Sequence, residues 1–450
     1  MGGAYCYAAS ETGTGRALVE QILQADVRSK QGISFWRNPR AWLQDKKLSR
    51  GFWIFFTAAF FFDFGFAIYY FLFNLYLLDL HFNDRMIGLV GGAMMLGSVA
   101  GMLPAGMLAR KIGLRPLLLV CFVAAPLLGA LRLVVMDERA QIGLAFVYGL
   151  AMCLWAVCFL PAVARVTTEE NRTSAFSLIF SVSIGTSTLG GVVCGYLPQW
   201  LRMAGLEMQP AGVKRILLLV SCGIAALGLF AVLRIRQPLH ENEMLRHVPA
   251  LELATRRWWV LHPFLLRFLP PMVLWTAVLS SFTPFANVYL ARELHVPILR
   301  IGLIFSVAQV VQFSVGLLTP LLFRVLGMVN GIVVTQLLTA MAIASLAATH
   351  NTGFAVALYL GYSAMQWMSS PGLYNLLMNR VPDEERSTAS AMMMFCNALA
   401  GAGATAGAGI LFADFGYPRV LVGIAVLAVV AAMLLRYLIG PQDFRVPLQP

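Results

Sequence analysis

Twelve apolar stretches follow one another along the chain, each long enough to cross a bilayer, and no other feature restricts the fold as severely. They run over 51–78, 86–109, 116–136, 143–164, 174–201 and 216–235, then over 268–292, 299–323, 329–349, 354–379, 389–413 and 418–439. A helix rises about 1.5 Å per residue, so roughly 20 such residues span the hydrocarbon core. Lipid offers no hydrogen bonds to the backbone, and a chain of this kind therefore folds as a helical bundle. Composition agrees: 59% of residues are hydrophobic, 12% are charged and the mean hydropathy is +0.75. The expected fold class is an all-α membrane protein with twelve transmembrane helices in two pseudo-symmetric six-helix bundles.

Polarity inside these stretches is sparse enough to single out residues. The first stretch, Gly51 to Leu78, carries one acid, Asp63, near its middle. The other acids fall in the N-terminal stretch, in loops, near helix ends or in the tail. An ionised carboxylate at the bilayer centre costs roughly 2.5–3.5 kcal/mol on insertion scales, so it faces protein or water rather than lipid. Helical spacing puts Asp63, Tyr70 and Asn74 on one face. Seven cysteines include six within apolar stretches, and none has metal-ligand spacing on a loop. Neither a zinc site nor a disulfide framework is expected, and no cofactor.

The net charge of +12 is a matter of topology rather than nucleic-acid binding. With the N-terminus inside, the cytoplasmic segments hold 24 of the 33 Lys and Arg, the bias of a multi-pass protein with both termini cytoplasmic. Residues 1–50 lack an apolar core, which predicts no cleaved signal peptide. They read as a cytoplasmic extension, with Phe35, Trp36 and Trp42 in a basic interfacial segment and a regulatory tail as the alternative. The expected division is then 51–235 for one bundle, 236–264 for a cytoplasmic linker, 265–440 for the second bundle and 441–450 for a short tail. Trp258 and Trp259 beside Arg256 and Arg257 look like an interfacial anchor.

The two halves are copies. A shift of 214 residues carries Ile87-Gly88-Leu89 onto Ile301-Gly302-Leu303, Leu80-His81 onto Leu294-His295, and Glu170-x-Arg172 onto Glu384-x-Arg386. A shift of 213 carries Asn74 and Tyr76 onto Asn287 and Tyr289. Duplicated six-helix units belong to transporters whose solute site lies between the halves. The same register pairs Asp63, Tyr70 and Asn74 with Thr276, Thr283 and Asn287, and puts Ser280 on that face of the seventh helix. These residues are the expected cavity lining, together with Tyr362, Gln366, Ser370 and Tyr374 down the tenth helix. The alternative is polar glue between packed helices. Tyr148, Met152 and Trp155 in the fourth helix are weaker candidates, and Gln309 and Gln312 in the eighth have no evident partner. Gly97-x-x-x-Gly101 and Gly401, Gly403, Gly407 and Gly409 read as small-residue faces where the halves slide. Arg132 is expected to snorkel outward.

The loop after the second helix reads Gly106-Met-Leu108-Ala109-Arg110-Lys111-Ile-Gly113-Leu-Arg115. It resembles the Gly-x-Leu-Ala-Asp-Arg-x-Gly-Arg-Arg/Lys pattern of the major facilitator superfamily, and the resemblance extends over about residues 51–440. Arg110 stands where the family has Asp, which puts the cytoplasmic latch formed by that acid in doubt. The resemblance implies a cytoplasmic gate at Gly106, Arg110, Lys111, Gly113, Arg115, Glu170, Arg172, Glu384 and Arg386. Two marks of proton-driven drug antiporters are missing. Arg165 lies only at the end of the fourth helix, and Gly185 to Gly191 lacks the family's Pro.

The expected function is secondary-active transport of a small organic solute across a cell inner (plasma) membrane by alternating access, not enzymatic catalysis. The expected partners are that solute and the lipid bilayer, with the chain acting as a monomer. Asp63 carries three open readings: proton or ion coupling, direct solute contact, or structure. Facilitated uniport, drug or metabolite export without coupling, and a receptor that binds without transport remain as alternatives. Sparse cavity charge with no buried Arg disfavours a multivalent anion and favours a neutral or cationic solute.

Overall fold

The computed structural model describes residues 48–203, 209–235, 263–349, 351–382 and 385–443. The interfacial segment before residue 48, Trp258 and Trp259, almost all of the 236–264 linker, Glu384 and the end of the tail lie outside the described residues. So do the side chains of Arg110, Glu170 and Arg172.

Among the described residues every regular element is a helix. The first half supplies α1 (Arg50–Asp79), α2 (Asp84–Ile112), α3 (Leu114–Leu131), α4 (Glu138–Val166), α5 (Glu169–Met203) and α6 (Pro210–Leu233). The seventh crossing is made of α7 (Pro263–Phe282), a 3-10 turn (Thr283–Phe285) and α8 (Ala286–Arg292). Then come α9 (Ile298–Leu326), α10 (Met328–Ala348), α11 (Thr352–Arg380), α12 (Arg386–Phe415) and α13 (Tyr417–Asp443). Eleven of the twelve crossings are long and apolar enough to span a membrane by themselves. The exception is α11, which is as long as its neighbours but carries Ser363, Gln366, Ser369, Asn375 and Asn379. It packs against α9 and α10, and Ser363, Gln366 and Ser369 are buried there, away from lipid. The break after Phe282 has a local cause: Pro284 has no N–H and cannot continue the hydrogen-bond ladder.

The repeat extends to the backbone. His81 and His295, 214 positions apart, are the only non-glycine residues with positive φ among those described, at 63° and 50°. Gly113 and Gly327, also 214 apart, end α2 and α9 with φ of 85° and 78° and ψ of 172° and 164°. Only glycine takes that region freely, so Gly113 of the loop motif has a turn to make, whatever else it does.

Within the first half, α2 lies along α4, α1 along α6 and α5, and α3 against α4 and α6. Within the second, α10 lies along α13 and α11, α7 along α12 and α13, and α9 along α11. Two long crossings join the halves among the described residues, α2 with α12 and α5 with α9, and α8 also meets α1. Both long crossings are built on glycine. A Cβ added at Gly409 would fall 2.6 Å from the Gly88 Cα, and one at Gly302 would fall 3.1 Å from the Gly195 Cα. Gly88 and Gly302 are repeat equivalents, and so are Gly195 and Gly409. Gly97 and Gly101, expected between the halves, instead press against Phe146 and Cys153 of α4 inside the first half. Gly401 lies against Ser280 and Met95, and Gly403 and Gly407 have open space beside them, so of that stripe Gly409 makes the tight backbone crossing.

Gly409→Ala and Gly302→Ala are expected to lower the melting temperature of the purified protein. Overpacking at a tight crossing costs about 1–3 kcal/mol, more than the roughly 1 kcal/mol that Ala gains over Gly in a helix. Gly403→Ala, with nothing beside it, should leave the melting temperature unchanged or raise it. Equal behaviour of the three variants in a thermal melt would contradict the crossing geometry.

Candidate functional site

A cavity of about 410 Å³ lies between the halves. Asp63 and Tyr70 reach it from α1, Ser183 and Ser187 from α5, Thr283 from the 3-10 turn, and Asn287 from α8. Gln309 and Gln312 come from α9, and Gln366 and Trp367 from α11. Phe66, Phe71, Phe305 and Tyr359 supply aromatic walls. Asp63 is the only charged side chain on this lining among the described residues, and its Oδ2 accepts a 2.7 Å hydrogen bond from the Ser183 hydroxyl. Opposite it, the Thr283 hydroxyl lies 2.9 Å from the Tyr362 hydroxyl and donates to Gln366 Oε1 at 3.4 Å. The Gln312 amide donates to the Ser363 hydroxyl. The result is one carboxylate on one wall, and amides and hydroxyls on the other.

Of the expected lining residues, Asp63, Tyr70, Thr283, Asn287 and Gln366 meet in this cavity. Tyr362 stands one layer behind, 1% exposed, holding Thr283. Thr276 does not reach the cavity: its hydroxyl donates to Asn397 Oδ1 at 2.9 Å. Ser280 lies against Gly401, and its carbonyl accepts from Thr405 at 2.9 Å. Both are glue between α7 and α12. Repeat register with Asp63 links Thr276, and helical spacing links Ser280, to the cavity face only if the helix runs unbroken to Asn287, and the turn at Pro284 resets the phase. Ser370 is half-buried and Tyr374 is 48% exposed, both off the cavity lining. Trp155 packs among Phe55, Phe62, Phe122 and Phe159, and Tyr148 stacks on Tyr69, so these are packing residues. Of the gate candidates, Lys111 is exposed and Gly106 is buried. Arg115 donates to the Leu233 carbonyl at the end of α6, and Arg386 to the Met378 carbonyl near the end of α11.

Asn74 and Asn287 have a different task. Asn74 Nδ2 donates to the Pro284 carbonyl at 2.7 Å, and Asn287 Nδ2 donates to the Phe71 carbonyl at 2.8 Å. All four positions are paired by the 213-residue shift, so the two bonds form a reciprocal clasp across the pseudo-two-fold axis. Beyond it lies a contact that sequence reading missed. Asp84, 2% exposed at the start of α2, accepts from Arg292 Nη1 of α8 at 2.8 Å and from the Tyr417 hydroxyl of α13 at 3.1 Å. An acid in the first turn of a helix ordinarily reads as a partner of the helix dipole, which is why Asp84 gave no signal. The bundle is thus sealed at the end where α1 stops and α2 begins. Toward the other end a cleft of about 460 Å³ is lined by Phe176, Phe180 and Ile184 of α5 and Phe313 of α9.

Two six-helix units around a polar central cavity, sealed at one end, define a membrane solute transporter rather than an enzyme. The chain belongs to the Major Facilitator Superfamily, whose profile matches residues 55–405. The fold is similar to the crystal structure of the nucleoside transporter NupG, with TM-score 0.67, 15% identity, and 89% of this chain and 100% of that one covered. It is also similar to the D-xylose-proton symporter, with TM-score 0.64, 14% identity and coverage of 85% and 96%. A third likeness is to a bacterial homologue of the human lysosomal transporter Spinster, inward-facing and occupied, with TM-score 0.69, 12% identity and coverage of 88% and 98%. No curated protein matches by sequence.

Asp84→Asn is expected to loosen the sealed end. A cysteine placed at Met95, beneath that seal, should then react with a water-soluble maleimide about tenfold faster than in the otherwise unaltered chain, the scale of a population shift of roughly 1.4 kcal/mol. An unchanged rate would show that the ion pair does not hold the halves together.

Proposed function

We propose that this protein is a secondary-active transporter that moves a small polyhydroxylated solute, of the sugar or nucleoside class, by alternating access, with proton coupling at Asp63. The observation that carries this reading is the Asp63–Ser183 pair on the wall of an otherwise uncharged cavity. Ionised, the Asp63 carboxylate accepts from Ser183; protonated, it can donate to a solute hydroxyl instead. One side chain thereby links proton occupancy to solute binding. The amides of Gln309, Gln312 and Gln366 offer solute hydroxyls both donor and acceptor ends, and the aromatic walls cover the apolar faces of a ring. The names of the structural relatives, a nucleoside transporter and a sugar–proton symporter, agree with that chemistry.

Lys and Arg weight the loops at the N-terminal side, which supports a cell inner membrane setting with both termini cytoplasmic. The sealed end then faces outward and the cleft between α5 and α9 opens to the cytoplasm. The two bundles, 51–235 and 265–440, rock about the cavity in a single monomer, the 236–264 linker joining them. Gly106 to Arg115, Glu170, Arg172, Glu384 and Arg386 form the cytoplasmic gate of the opposite state.

The test is uptake of labelled sugars and nucleosides into proteoliposomes, with a pH gradient of either sign. Accumulation driven by the gradient is expected in the wild type and absent in Asp63→Asn, while exchange of solute against solute survives in the variant. Accumulation that persists in Asp63→Asn would remove the acid from coupling. A solute moved only down its own gradient, at equal rates in both proteins, would make the chain a uniporter.

A further inference from the structure

Arg132 at the end of α3 does not snorkel outward. It is 2% exposed, the most polar side chain among the largest fully buried ones. Its guanidinium carbon lies 4.0 Å from the centre of the Phe73 ring and 5.2 Å from that of Tyr148. Both rings lie within cation–π range of the guanidinium, whose N–H groups point out in its own plane. The Tyr69 hydroxyl is hydrogen-bonded to the guanidinium; Nε has no hydrogen-bond partner, and among the described residues Arg132 forms no ion pair. A buried cation ordinarily has a carboxylate or another acceptor to offset its desolvation. Here the offset comes from the two rings and the Tyr69 hydroxyl with no carboxylate, and the guanidinium borders a void of about 50 Å³, room for roughly three waters.

The position of that void gives it meaning. Asn74, Met94 and Arg132 line it from the first half, and Pro284 and Thr405 from the second, so it straddles the seam that must part when the sealed end opens. Phe66, Tyr70 and Pro284 border both this void and the central cavity. The Asn74–Pro284 bond of the clasp runs between the two. A solute passing between the cavity and the sealed end therefore travels past the guanidinium.

We infer that the Arg132 pocket is an anion site of one carboxylate's size, set on the solute path between the central cavity and the sealed end. Asp63 and the amides define what binds in the cavity; Arg132 adds a docking point that a neutral sugar leaves empty and a carboxylate-bearing solute or a free halide fills. The placement on the path rests on the alternating-access reading, but the pocket is already formed in this conformation, so its occupancy can be read without transport.

Thermal unfolding of the detergent-purified full chain is followed while sodium acetate, sodium chloride and, as an uncharged match for acetate, acetamide are titrated. A ligand of the folded state raises the melting temperature in proportion to the logarithm of its concentration above Kd. Acetate is expected to raise it and acetamide to leave it unchanged. Arg132→Gln should weaken the acetate response by about tenfold or more, and Arg132→Lys, which keeps the charge, by less. Asp63→Asn should leave the response intact. A chloride response equal to that of acetate and lost in Arg132→Gln identifies a free inorganic anion as the occupant; a response to acetate alone identifies a carboxylate. Responses that are equal for acetate and acetamide, or unchanged in both Arg132 variants, would overturn the proposal. A purely structural Arg132 would lower the melting temperature of both variants without altering its dependence on acetate. Failure here leaves the coupling at Asp63 untouched, because that is read by flux.

Discussion

Close approach of backbone to backbone at two glycine crossings sets how the halves of this protein meet. Lipid removes the hydrophobic drive for one helix to leave its surroundings and join another, so association rests on van der Waals contact and hydrogen bonds at short range. Gly88 against Gly409, and Gly302 against Gly195, bring α2 to α12 and α5 to α9 with no side chain between them. At that range the Ser306 hydroxyl of α9 reaches the Thr188 carbonyl of α5 at 2.7 Å. The same proximity brings Asp84 within reach of Arg292 and Tyr417, and lets Asn74 and Asn287 reach across to the carbonyls of the opposite half.

The seal is made of many modest parts. Each hydrogen bond contributes about 0.5–1.5 kcal/mol net, and Arg292 is half exposed, so its pair with Asp84 is partly screened. Two states that interconvert during a transport cycle must lie within a few kcal/mol of one another. A seal built from reciprocal amides, two glycine contacts and one ion pair meets that condition, whereas a large interdigitated apolar interface would lock the halves together. The cavity follows the same economy. One carboxylate with one hydroxyl partner faces neutral amides, and Arg132, the one fully buried cation among the described residues, sits apart from it beside aromatic rings. Opposite charges in one pocket would neutralise each other; separated by Phe66 and Tyr70 they can act on a solute at successive positions.

Much of this was legible in the chain because lipid imposes simple rules. Segments of sufficient apolar length must be helices, charge bias orients them, and a repeat of nearly constant register implies two similar halves. Asp63 stood out because an acid in the middle of such a segment is costly anywhere but a polar cavity. Tyr70, Thr283, Asn287 and Gln366 followed from register or from helical spacing. What the sequence could not supply was every feature that depends on which helix lies beside which. Thr276 and Ser280 had the right spacing and the wrong neighbour, because Pro284 turned the chain between them and Asn287. Gly97 and Gly101 had the right residue type and lay within one half. Gln312 had no evident partner until α11 brought Ser363 beside it. Asp84 and Arg132 looked like ordinary residues at helix ends. Spacing along a helix fixes the direction of a side chain relative to its own axis. Whether that direction meets a cavity, a carbonyl or an aromatic face is set by contacts between residues up to 333 positions apart, as for Asp84 and Tyr417, and only the assembled bundle decides them.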